Sequence, residues 1–120
     1  MSIYGLRRTL LTMFCLVLTA SHSYAQDTAR TIEVHAKRYS FVPAEITITK
    51  GEKVTLILTT DDVAHSLVVP GLHVNKEIVK GHPALVEISS DKVGDFAGQC
   101  GRFCGSGHGS MLFVVHVKEN

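Results

Sequence analysis

Between positions 100 and 111 the chain reads Cys-Gly-Arg-Phe-Cys-Gly-Ser-Gly-His-Gly-Ser-Met, which spaces Cys100, Cys104, His108 and Met111 as C-x-x-x-C-x-x-x-H-x-x-M. Two thiols, an imidazole and a thioether form a soft to borderline donor set that suits copper and not magnesium, calcium or manganese. The thioether carries most weight, because zinc sites are built from Cys, His and carboxylate ligands whereas copper electron-transfer sites use Met. Gly101, Gly105, Gly107 and Gly109 let the backbone fold tightly enough for these side chains to converge. His65, well upstream, is a further residue of donor type. Each residue also has a plainer explanation. Two cysteines in an exported chain commonly form a disulfide, but that leaves His65, His108 and Met111 without a role. A mononuclear blue-copper site built from His65, Cys104, His108 and Met111 matches the donor types and leaves Cys100 idle. Met111 taken singly would be a core residue.

Such a loop needs a rigid frame, and the rest of the sequence supplies strands. Apolar and polar residues alternate through Ile32–Lys37, Glu45–Thr49 and Val54–Thr60, the last rich in β-branched side chains. His65–Val69 is extended and stopped by Pro70-Gly71; residues 72–82 give the weakest signal, a short strand with a connecting loop. Ala84–Ser89, Gly94–Gln99 and Leu112–Val117 complete the set, and residues 26–30 read as an unstructured lead. No segment has a useful helical period. Short strands with turn signals every several residues indicate an all-β chain folded as an antiparallel β-sandwich. Tyr39 and Phe41 are expected in its core. His35, His73, His82 and His116 lack partners at ligand spacing, with His116 facing solvent or satisfied on the last strand.

The first 25 residues stand apart. Arg7 and Arg8 precede an apolar run from Leu10 to Ala20, and Ser23-Tyr24-Ala25 ends on a small residue, as in a secretory signal cleaved after Ala25. A retained membrane anchor is the rival, but the run is about half of the roughly 20 apolar residues a bilayer requires. Cys15 would leave with this segment. The working domain is then residues 26–120, exported to the periplasm. Across the whole chain 12 Lys and Arg face 11 Asp and Glu, so no basic surface points to nucleic acid. A sandwich this small buries only about 60–65% of its chain surface, so a bound metal would add useful stability.

The Cys100–Met111 loop closely resembles the binuclear copper A loop of cytochrome c oxidase subunit II, shared with the copper domain of nitrous oxide reductase. Asp62-Val63-Ala64-His65-Ser66 is similar to that family's D-V-x-H-S segment, and the likeness continues through Val69-Pro70 and Gly98-Gln99-Cys100. The resemblance implies a Greek-key cupredoxin sandwich holding two copper ions. Cys100 and Cys104 would bridge both; His65 and Met111 would complete one, His108 and the backbone carbonyl of Arg102 the other. It implies that the two metals share one electron hole, so one-electron transfer changes the core charge only between neutral and singly positive.

Three departures from subunit II bear on the partner. Two membrane helices normally precede the copper domain, and here a signal-like segment does. Arg102 stands where the family has a glutamate that helps hold magnesium, and a fixed cation cannot do so. There is no tryptophan, so the aromatic patch that takes electrons from cytochrome c is missing. The expectation is a free-standing, monomeric copper A domain acting as a periplasmic electron carrier between a donor such as cytochrome c and an oxidase or reductase. The alternatives are a detached subunit of a membrane oxidase and a copper carrier for copper A assembly. No catalytic acid or base is evident, so an enzyme acting alone is not expected.

Overall fold

Period-two alternation becomes nine strands in the structure, a computed structural model that describes residues 29–120. They are β1 (Arg30–Lys37), β2 (Ser40–Val42), β3 (Glu45–Thr49), β4 (Val54–Thr60), β5 (His65–Val69), β6 (Val74–Ile78), β7 (Ala84–Ile88), β8 (Gly94–Cys100) and β9 (Leu112–Lys118). The proposed signal, residues 1–25, lies outside the described residues, as does most of the expected lead; its last residue, Arg30, already belongs to β1. Val54, Leu56, Leu58 and Thr60 are the buried residues of β4, and Phe113, Val115 and Val117 those of β9, so each strand turns one apolar row inward. The Phe41 and Phe113 rings meet edge-on with centroids 5.8 Å apart and fix the sheets face to face.

One sheet runs β2-β1-β4-β7 and the other β3-β9-β8-β5-β6. The expected two-sheet sandwich is therefore present, but its pairing is mixed and not wholly antiparallel. β1 runs parallel to β4, with Val34 opposite Leu58, and β3 runs parallel to β9, with Ile46 opposite Val115. The cause is the path of the chain. After the β1–β2 hairpin it crosses to the other sheet as β3, then returns as β4 beside β1 in the same direction. Alternation along one strand carries no information about which neighbour it meets, so the sequence could not reveal this. It also hid β2, which has three residues, too few for a period. The weak stretch 72–82 contains β6, preceded by a one-turn 3-10 helix over Pro70–Leu72 that ends on His73 at φ 56°.

Strand direction decides where chemistry can occur. β1, β4 and β8 end, and β5 and β9 begin, at one pole of the sandwich, because β1 and β4 are parallel and β5, β8 and β9 are mutually antiparallel. The start of β1 and the end of β9 lie at the other pole. There Arg30 bonds the Thr47 carbonyl and pairs with Glu52, and the Lys50 amide bonds the Lys118 carbonyl.

On the outer face of β9, His116 Nδ1 lies 2.6 Å from Asp95 Oδ1 and its Nε2 3.5 Å from Glu45. The hydrogen bond to Asp95 raises the His116 pKa above the ordinary 6.5, and the same bond lowers that of Asp95 below 3.8. The His116 contribution to stability is fully present below pH 6.5 and is lost as pH rises through its raised folded value. The Asp95 contribution is present above pH 3.8 and is lost as pH falls through its lowered folded value. Subtracting the melting curve of His116→Asn from that of the native chain should leave a step declining above pH 6.5. A pH-independent difference would show that the pair does not act on stability.

Candidate metal centre

The donors gather at the pole where strands β5 and β9 begin. His65 is the first residue of β5, Cys100 the last of β8, and Met111 immediately precedes β9. Pairing of Leu67 with Cys100 and of Gln99 with Leu112 sets these three on adjacent strands. The Cys100 amide bonds the Met111 carbonyl at 3.0 Å and closes the base of the loop. Inside it, the His108 amide bonds the Gly105 carbonyl and the Met111 amide bonds the His108 carbonyl, forming a short 3-10 turn over His108–Ser110.

Two of the loop's glycines are required by close approach. A Cβ at Gly107 would lie 2.4 Å from the Tyr39 ring, and one at Gly105 would lie 2.3 Å from the Tyr39 hydroxyl, at a φ of +139°. Tyr39 is thus only partly the core residue expected: its ring is also the platform under the ligand loop. Phe41 is buried as expected.

Cys100 and Cys104 are both buried and both free, so the disulfide alternative is not what this structure holds. One donor atom each from His65, Cys100 and Cys104 lie within 4.8 Å of one another. Around Cys100 Sγ stand His65 Nδ1 at 4.0 Å and the Arg102 carbonyl at 3.1 Å. Around Cys104 Sγ stand His108 Nδ1 at 3.7 Å and Met111 Sδ at 3.5 Å. All six residues picked out by sequence therefore converge. The Arg102 backbone turns inward while its side chain turns out to an ion pair with Glu77 on β6. His35 bonds Thr59, and His116 bonds Asp95, so both are held by other partners.

Asp62 organises one side of the cluster; the sequence marked it only as the first residue of the segment similar to D-V-x-H-S, with no role attached. Its carboxylate accepts hydrogen bonds from the Arg38 amide at 2.7 Å, the Val63 amide at 2.6 Å, the Thr60 hydroxyl at 3.0 Å and His65 Nε2 at 2.7 Å. Desolvation opposes its charge, but these bonds outweigh it and hold the carboxyl well below the usual carboxylate range. An ionised carboxylate only accepts, so His65 carries its proton on Nε2 and turns the Nδ1 lone pair toward the sulfurs. Burial pushes the Cys104 thiol up, and the neighbouring Cys100 adds to this, while the Arg38 guanidinium acts the other way. Thiolate formation here calls for a cation, and soft donors with a thioether fit copper. Arg38 itself, whose Nε bonds the Cys104 carbonyl at 2.7 Å, had no periodic or motif signal to mark it.

A two-sheet sandwich with its thiols, imidazoles and thioether gathered at one pole defines a copper-binding cupredoxin. The chain belongs to the family of the periplasmic domain of cytochrome c oxidase subunit II, whose profile matches residues 16–118. Cytochrome c oxidase subunit 2 of Thermus thermophilus is 29% identical over 89 residues, 74% of this chain and 66% of that protein. The probable subunit 2 of Streptomyces coelicolor is 38% identical over 68 residues, 57% of this chain and 21% of that protein. The chain thus spans less than two thirds of these relatives' lengths. Among solved structures, the periplasmic domain of subunit II from Bradyrhizobium japonicum superposes with a TM-score of 0.70 at 20% identity, covering 76% of this chain and 85% of that one. A chain of a heme-copper terminal oxidase dimer gives 0.68 at 26% identity, covering 78% and 68%. Among the described residues no helix is long and apolar enough to cross a membrane.

Replacing Asp62 with Ala removes the acceptor that orients His65 and leaves a buried N–H unpaired. Competition titration against a copper(I) chelator should show affinity lower by about 10–100-fold, with folding weakened by about 1–3 kcal/mol. Unchanged affinity would mean that His65 is oriented by packing alone.

Proposed function

We propose that the chain is a periplasmic electron-transfer domain holding two copper ions between Cys100 and Cys104, with residues 1–25 as its cleaved export signal and 26–120 as the working domain. The observation that carries this is the distribution of donors around the sulfur pair. Each sulfur has two further donors beside it: His65 and the Arg102 carbonyl at Cys100, His108 and Met111 at Cys104. A single metal would use only part of this set, whereas two metals sharing both sulfurs use all of it. Bound there, copper supplies a one-electron couple.

The protein's own part is to hold these groups still. His65 and Met111 are fully buried, His65 is fixed by Asp62, and Met111 is fixed by the strand pairing at its carbonyl. Ligands that cannot move keep bond lengths nearly constant between the two redox states, which favours fast transfer. Burial excludes water, and the small change in core charge limits the electrostatic cost of changing state.

The partner is a redox protein, either cytochrome c or a membrane oxidase or reductase, and the chain acts as a monomer. Arg102 favours a carrier over an oxidase subunit. Its side chain is engaged with Glu77 on the surface, and it offers no carboxylate to a second metal at a subunit boundary. Phe103, 77% exposed with its ring centroid 5.7 Å from that of His108, gives an aromatic contact at the surface above the ligands.

Residues 26–120, loaded with copper and examined by electron paramagnetic resonance, should bind two coppers per chain and give a seven-line hyperfine pattern. One copper per chain with four lines would sink the paired-metal proposal. Cys100→Ser should convert or abolish the signal; a mononuclear site on Cys104 would barely notice it. A chain that hands its copper to an acceptor protein but shows no reversible redox couple would be a copper carrier instead.

A further inference from the structure

We propose that Arg38 is a positioning residue of the metal centre, holding the His65 side through its main chain and the Cys104 side through its side chain. It also sets a fixed positive charge beside the sulfur pair. This rests on the copper assignment above.

Arg38 occupies the β1–β2 turn, an element that contributes no metal donor. Its amide donates to Asp62 Oδ2 at 2.7 Å, and the other oxygen of that carboxylate holds His65 Nε2 at 2.7 Å. Its Nε donates to the Cys104 carbonyl at 2.7 Å, a contact spanning 66 positions of sequence. The next residue, Tyr39, lies under Gly105 and Gly107, so the turn supports the ligand loop at neighbouring points. One residue thereby ties the β4–β5 connection, which carries Asp62 and leads into His65, to the loop that carries Cys104 and His108. The two ties separate cleanly. Arg38→Gln leaves the amide bond to Asp62 in place and removes the side-chain hold on Cys104 together with the charge.

The charge has its own consequence. Oxidation adds one positive charge to the core, and a guanidinium bonded to the Cys104 carbonyl disfavours that state. The residue is always protonated, so this bias does not vary with pH. Arg102, within the ligand loop, is paired with Glu77, which offsets its charge.

The test compares the native chain with Arg38→Gln and Arg38→Lys. In metal-free protein, amide hydrogen exchange in Arg38→Gln should quicken about tenfold over residues 103–109, with residues 62–65 protected as in the native chain. With copper bound, its reduction potential should fall, the oxidised form gaining about tenfold, or ~59 mV for one electron. Arg38→Lys should recover the potential and not the full loop protection. Native exchange and native potential in Arg38→Gln would overturn the proposal. So would loss of protection throughout β4 and β9, which would make Arg38 a residue of the whole fold. If the native chain shows no paired-copper spectrum, the copper assignment fails, and the metal-free exchange result still decides whether Arg38 holds the loop.

Discussion

The hydrogen bond from the Cys100 amide to the Met111 carbonyl is the closure on which the site depends. It ends one strand and begins the next, so the residues between must form a loop whose two ends are held together. Cys100 and Met111 inherit the rigidity of the sheet directly. Cys104 and His108 do not; they lie within the loop and need support from below and from the side. Tyr39 and Arg38 give that support, and they can do so only because β1 ends at the same pole. A parallel β1–β4 pairing is thus a requirement of the metal centre as much as a feature of the fold.

Burial makes the electrostatics consequential. Cys100, Cys104, His65 and Met111 are all shielded from water, and a charge there interacts more strongly with its neighbours than it would at the surface. Burial makes the Cys104 thiol resist ionisation, and Asp62 supplies a nearby negative charge stabilised by four hydrogen bonds. A cation entering the site meets donors already gathered around the two sulfurs and a carboxylate already ionised behind the first imidazole.

Much of this was legible in the sequence, for identifiable reasons. The donor set Cys100, Cys104, His108 and Met111 stands in one short segment, and metal ligands must be specific residue types, so spacing alone exposes them. His65 and the inward carbonyl of Arg102 came through the family resemblance. Seven of the nine strands were plain in the sequence, most because one face is buried, as β4 shows with Val54, Leu56 and Leu58, and an eighth, β6, was weakly marked. What stayed hidden were relations between distant segments. β2 is too short to alternate, parallel neighbours leave no mark on either strand, and Arg38 acts through a carbonyl 66 positions away. Tyr39 had one trace in sequence, the glycines at 105 and 107, but a glycine does not name the side chain that needs the room.

The described chain begins and ends at the pole opposite the donors, around the β3–β4 turn where Arg30 meets Glu52 and Lys50 meets Lys118. Whatever is joined covalently at either end is therefore kept behind the copper pole. A flexible tether there would spread over a distance growing as roughly 5–6 Å times the square root of its residue number. It would raise the effective concentration of the domain near its anchor while leaving Phe103 and the ligand loop turned outward. The same sandwich can in this way serve freely diffusing or leashed, with no change to the atoms that handle the electron.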